Sequence, residues 1–187
     1  MAFKYRYNLI GESGRILKKV VLDASTDFQV GDVVAGGTGA VDAGDLGEVI
    51  TADTSHYHII GVIQAIITKN GVSPSSDGCS GAFIDAYRTP ANNETGLQIS
   101  AIVDISPFSV YSADLDDTIG TTTGSNRAFY YFNLDSGNAN HQLDEASAKA
   151  PTTGNGQFVS HGIDPQDTNN VLVSLNRSFM IADTAAA

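Results

Sequence analysis

The chain has 187 residues, 42% of them hydrophobic and 17% charged, with a formal net charge of -11. That length suits one domain with a proper core, and that much apolar surface excludes intrinsic disorder because its burial offsets the entropy lost on folding. A strongly acidic body repels phosphate backbones and disfavours nucleic acid as a partner; the lone Cys79 excludes an intramolecular disulfide and argues against a cysteine-based zinc site.

The opening stretch "MAFKYRYNLIGESG" lacks the apolar run of about 7 to 15 residues of a secretory signal, and nothing approaches the roughly 20 apolar residues of a spanning helix. The expectation is a protein assembled in a cytoplasm, with no membrane partner. Its 19 glycines and the clusters of Thr, Ser, Asn and Asp fall between short apolar runs, the punctuation of an all-β chain.

In chain order, Phe3, Tyr5, Tyr7 and Leu9 alternate with Lys4, Arg6 and Asn8, a period of two that places aromatics on one strand face and cations on the other. "GESG" reads as a turn and "RILKKVVL" as the returning strand, so residues 1–22 are expected to form an N-terminal hairpin or arm on a body spanning 23–187, the whole being a single β domain. Residues 1–22 hold Lys4, Arg6, Arg15, Lys18 and Lys19 against Glu12, a net of +4; the remaining 5 basic and 20 acidic residues give the body -15. Phe3, Lys4, Tyr5, Arg6 and Tyr7 are therefore the candidate partner-binding residues. Aromatic burial would supply affinity there, and the cations would select an acidic surface.

"DFQVGDVVAG" reads as a short strand with an internal Gly31-Asp32, and "HYHIIGVIQAII" as a core strand bent at Gly61. In "LQISAIVDI", Leu97, Ile99, Ala101, Val103 and Ile105 form a buried face, with Gln98, Ser100 and Asp104 on a wet one. "AFYYFNL" carries aromatics on both faces, which suits a position between two layers or at a subunit interface. "LDEASAKAP" could form one short helix before Pro151, and "NNVLVSLNRSFMI" closes the chain as a long strand. The expected core is Ile59, Ile60, Val62, Ile63, Leu97, Ile99, Val103, Val171, Val173 and Leu175. The loops "TKNGVSPSSDGCSG", "DDTIGTTTGSN" and "KAPTTGNGQ" are long for a compact domain, as loops are that serve function or pack on neighbours.

No catalytic constellation is complete. His56 and His58 share a strand face and could ligate a metal, but a third ligand is missing because His141 and His161 are remote in sequence. "DGCSGAF" resembles the nucleophile turn of serine proteases similar to chymotrypsin, with Ser80 as attacking group, yet Ala82 replaces the glycine that follows and no base and orienting acid are placed as that family has them. "VDAGDLG" and "GAFIDAYRT" resemble motifs of the trimeric dUTPases, but each is a residue short, so Asp85 and Tyr87 could not line one pocket wall, and "SPSSDG" lacks the phosphate-binding arginine. The aspartates of "SADLDDT" do not follow the alternating ligand pattern of a calcium loop. No metal, cofactor or catalytic residue is assigned.

"FQVGDVVAGGTGAV" followed by "HIIGVIQAI", within residues 28–67, resembles the small β-barrel capsid decoration, or cement, proteins of tailed bacteriophages, in which a "GD" turn into an apolar strand precedes a glycine-rich loop and an "IGV" strand. The closing "GIDPQDTNNVLVSLNRS" also looks like the ends of phage virion proteins. The expectation is an all-β protein, a small β-barrel or β-sandwich with long loops, an N-terminal hairpin arm and at most one short helix. The resemblance implies a noncatalytic virion structural protein on the capsid surface, with the major capsid protein and copies of itself as partners. The alternatives are a receptor- or carbohydrate-binding β module of a phage tail or fibre and, behind it, a dUTPase-like trimeric enzyme.

Overall fold

The computed structural model describes residues 3–22, 28–36, 48–52, 59–67, 83–84, 86–87, 100–116, 128–135, 142–149 and 156–179. The fold is all-β. The strands are β1 (Lys4–Asn8), β2 (Leu17–Leu22), β3 (Phe28–Gln29), β4 (Val33–Gly36), β5 (Glu48–Thr51), β6 (Ile59–Ile67), β7 (Phe83–Ile84), β8 (Ala86–Tyr87), β9 (Ser100–Asp104), β10 (Ser109–Asp114), β11 (Tyr131–Leu134), β12 (Leu143–Lys149), β13 (Phe158–Asp164) and β14 (Asp167–Leu175).

Two layers organise twelve of them, and β3 pairs with β8 in a separate two-stranded sheet. The order β4-β5-β2-β9-β6 closes into a five-stranded barrel because β6 also pairs with β4, and β7 continues from β6. The second layer is a 6-stranded sheet in the order β1-β10-β14-β13-β11-β12. A parallel bridge between Leu115 and Leu143 draws its β12 edge back toward the end of β10.

β6 is apolar throughout because it is a shared wall. Ile60, Ile63 and Ile66 point into the barrel with Val20, Leu22, Phe28, Val34, Val49, Ala101 and Val103. Ile59 and Val62 join Val33 and Ala35 in a second core, packed on Tyr111, Phe132, Phe158, Val171, Val173 and Leu175 of the sheet. Residues three apart share a core because the ladder slips: Val34 pairs with Gly61 but Ala35 pairs with Ile59. The expected bend at Gly61 is thus a bulge, and a Cβ there would run into the Asp104 carbonyl. All the expected core residues that are described, Ile59, Ile60, Val62, Ile63, Val103, Val171, Val173 and Leu175, are buried; Leu97 and Ile99 lie outside the described residues.

Three expectations are corrected. The N-terminal strands do not form a hairpin with each other: β1 pairs with β10 in the sheet, whereas β2 pairs with β9 and β5 in the barrel. Gly11, at φ 89°, and the 3-10 turn Glu12–Gly14 redirect the chain from one layer to the other, so each strand finds its ladder elsewhere. The helix expected in "LDEASAKAP" is strand β12. Its Asp144 and Ser147 do make a bond of the helix-cap kind, Ser147 N–H donating to Asp144 Oδ1 at 3.2 Å, but it closes a bulge, and Ser147 Oγ also accepts from Asn133 N–H of β11 at 2.9 Å. Finally, the wet face expected around Asp104 is covered: Asp104 is fully buried and Ser100 nearly so.

Candidate functional site at the N-terminal segment

The segment from Phe3 to Leu22 spans both layers, and its charged side chains explain how. Arg15, just before β2, donates through Nε to Asp104 Oδ2 at 3.0 Å and through Nη2 to the Gln64 side-chain oxygen on β6. The buried carboxylate also accepts from Ser109 Oγ at 2.8 Å and from Ser106 N–H at 3.0 Å. Ser106 Oγ donates to the Gly14 carbonyl at 2.7 Å and accepts from Asn8 Nδ2 at 3.2 Å. Strands β1, β2, β6, β9 and β10 therefore meet at one ion pair. A buried carboxylate is tolerable only with this many donors.

A second pair lies farther along the sheet. Arg6 Nη2 is 2.6 Å from Asp164 Oδ2, and its Nη1 donates to Gln166 Oε1 at 2.7 Å. Burial pushes the Asp164 carboxyl up, but hydrogen bonds from Ser112, the Gln166 amide and Arg6 outweigh it and hold the pKa below the usual carboxylate range. Two of the segment's five cations are thus committed inside the molecule.

The five candidate partner-binding residues separate. Phe3 is 3% exposed, stacked on Phe158 at 4.9 Å and edge-on to Tyr111, so it serves the protein's own core. Tyr5 is half-buried beneath the Arg15 guanidinium, 4.0 Å from its ring centre, and donates to the Glu12 carboxylate at 3.2 Å. Burial, and then that bond, raise its hydroxyl pKa. Arg6 is held by Asp164. Only Lys4 and Tyr7 remain exposed. The period of two fails because β1 bulges between Tyr5 and Tyr7: past the bulge Asn8 faces inward while Tyr7 and Leu9 face out.

What sequence patterning missed lies beside them. Among the described residues the exposed large hydrophobics are Tyr7, Leu9, Ile10, Ile16, Leu17 and Phe129, all but one in this segment. Leu9 N–H donates to the Phe108 carbonyl at 2.9 Å and Ile105 N–H to the Ile16 carbonyl at 2.8 Å, so Leu9 and Ile16 flank the β9–β10 turn from its two sides. Ile10 folds over Gly14, where a Cβ would strike its side chain. Lys18 and Lys19 follow Leu17 on β2, both exposed, and the Arg177 guanidinium lies 4.3 Å over the Phe108 ring. The signal was present as "NLI" and "RIL" on either side of the turn, hidden by the assumption that two adjacent amphipathic strands pair.

Other candidates resolve less. His56, His58, His141, Cys79, Ser80 and Asp85 lie outside the described residues, and among the described residues no three His, Cys, Asp or Glu side chains group as a metal site. His161 Nε2 is 2.9 Å from Ser174 Oγ, and burial lowers its pKa. Of the aromatic strand, Phe132 is buried, Tyr130 and Tyr131 are half-buried, and Phe129 is exposed at φ 70°. No family model, no curated protein and no solved structure matches this chain.

Proposed function

We propose that the chain is a noncatalytic virion structural protein, a decoration or cement protein that binds and stabilises a tailed-phage capsid shell, with the major capsid protein and copies of itself as partners. The observation that supports this reading is the placement of exposed apolar surface. Five large hydrophobics sit on one scaffold locked by a buried ion pair, whereas soluble monomers scatter such residues singly. Asp104 of the barrel accepts a hydrogen bond from Ser109 of the sheet, a contact between layers that favours rigidity of a part to be packed. The resemblance of residues 28–67 to decoration proteins points the same way.

The test is shell stability. Adding the protein to shells that lack it raises their thermal disruption temperature and saturates at a fixed copy number per capsid protein. Shells whose disruption temperature is unchanged at saturating protein would refute the proposal.

A further inference from the structure

We infer that the docking surface is the apolar patch of Leu9, Ile10, Ile16 and Leu17 around the β9–β10 turn, and that its occupant is an apolar shell surface bordered by carboxylates. This rests on the decoration reading. It moves the contact from the aromatic face of β1, whose Phe3 is consumed by the core, to the turn that carries the chain between layers.

Charge settles the chemistry of the rim. Lys18 and Lys19 leave the patch along β2, Arg177 caps Phe108 at its border, and the acidic Glu12 is engaged by the Tyr5 hydroxyl. Neither lysine makes an ion pair among the described residues. Among the described residues of an otherwise acidic protein, Lys18, Lys19 and Arg177 are thus exposed beside four exposed apolar side chains, and a carboxylate-rimmed partner matches both.

A second copy of the chain fits less well. Patch against patch would set Lys18 and Lys19 against the same cations. Patch against body would need a second apolar face, and among the described residues only Phe129 is a large exposed hydrophobic outside the segment. The surface is also prepared in advance. Asp104 fixes Arg15, Ser106 and Ser109, and these hold the Gly14 carbonyl and both ends of the β9–β10 turn, so little is lost to ordering when a partner arrives.

The experiment measures co-sedimentation of the full chain with shells lacking it, for wild type, the double variant Ile10→Ser/Ile16→Ser and the double variant Lys18→Glu/Lys19→Glu. Both isoleucines are half-exposed, so the fold tolerates serine; the lysine variant changes charge alone and keeps the test open if the first variant misfolds. The serine variant should weaken binding by at least about tenfold at any salt, from the apolar area it removes. The glutamate variant should weaken it about tenfold at low salt and far less at 0.5 M or so, as screened pairs do. Wild type that binds together with variants that bind equally well overturns this surface and leaves the decoration reading standing. Wild type that does not bind overturns both. Sedimentation velocity showing that wild type self-associates and the serine variant does not assigns the patch to a second copy, and also overturns the inference.

Discussion

At the scale of single residues the molecule depends on carboxylates placed where water is scarce. Asp104 is matched by Arg15, whose removal strands a buried negative charge. Arg15→Met should lower the unfolding free energy by about 3 kcal/mol, read from urea denaturation, and a loss under about 1 kcal/mol would show the pair to be solvated. Asp32, in the turn between β3 and β4, accepts from the Gln29 amide at 2.7 Å, yet burial raises its pKa from 3.8 to about 7. The folded protein holds that proton more tightly than the unfolded chain does, so stability falls as pH rises from about 4 to about 7 and stays reduced above it. At about 1.4 kcal/mol per pH unit the full effect is on the order of 4 kcal/mol. Asp32→Asn removes the titration: its stability relative to wild type should grow between pH 5 and pH 8 or so, and a difference that does not vary with pH would contradict the raised value. None of this was legible in the sequence. Asp104 alternates with apolar neighbours as a solvated residue would, and only the second layer, brought from more than one distant segment, covers it.

At the scale of elements, legibility followed local pattern and failed where tertiary pairing decided. β6 was readable because Ile59, Ile60, Val62 and Ile63 flanking a glycine admit few alternatives, and Gly61 is the point where the Asp104 backbone and the Val103 side chain crowd it. Gly61→Ala should therefore destabilise by about 3 kcal/mol through its clash with the Asp104 carbonyl, checked by thermal unfolding; a variant as stable as wild type would mean the bulge can relax. β1 and β2 were each recognisable as strands, but two amphipathic strands joined by a glycine turn look alike whether they pair or part. The Gly11 conformation and the Asn8 side chain, which accepts from Ile10 N–H at 3.0 Å, send them to different layers. β12 misled for a related reason: a short run ending before Pro151 suits a helix in isolation, and the Asp144–Ser147 bonds fit a bulge once β11 supplies a ladder. The bulge in β1 had the largest consequence, since one extra residue turned Tyr7 outward and Asn8 inward and left the expected aromatic face split between core and surface.

At the scale of the whole molecule, a closed barrel and a curled sheet share a core, and one segment threads both. The all-β class followed from composition and periodicity; the division into two layers did not, because it is set by pairings between strands far apart in the chain, such as β1 with β10 and β2 with β9. The charge asymmetry visible in residues 1–22 falls on the segment that carries the exposed apolar side chains, although Arg6 and Arg15 proved to be structural and those side chains lie on either side of the turn. Among the described residues, five of the six large exposed hydrophobics lie in one segment, tied to the body by the Arg6–Asp164 and Arg15–Asp104 pairs, an arrangement that suits the proposed mounting on a larger surface. The most direct measurement is a cryo-EM reconstruction of the assembled particle at a resolution that traces strands. The account predicts density for the barrel and sheet on the outer face of the shell, with the turn between β1 and β2 directed at the capsid protein. Density for this fold only on the tail or fibres, or on the shell with that turn pointing to solvent, would contradict it.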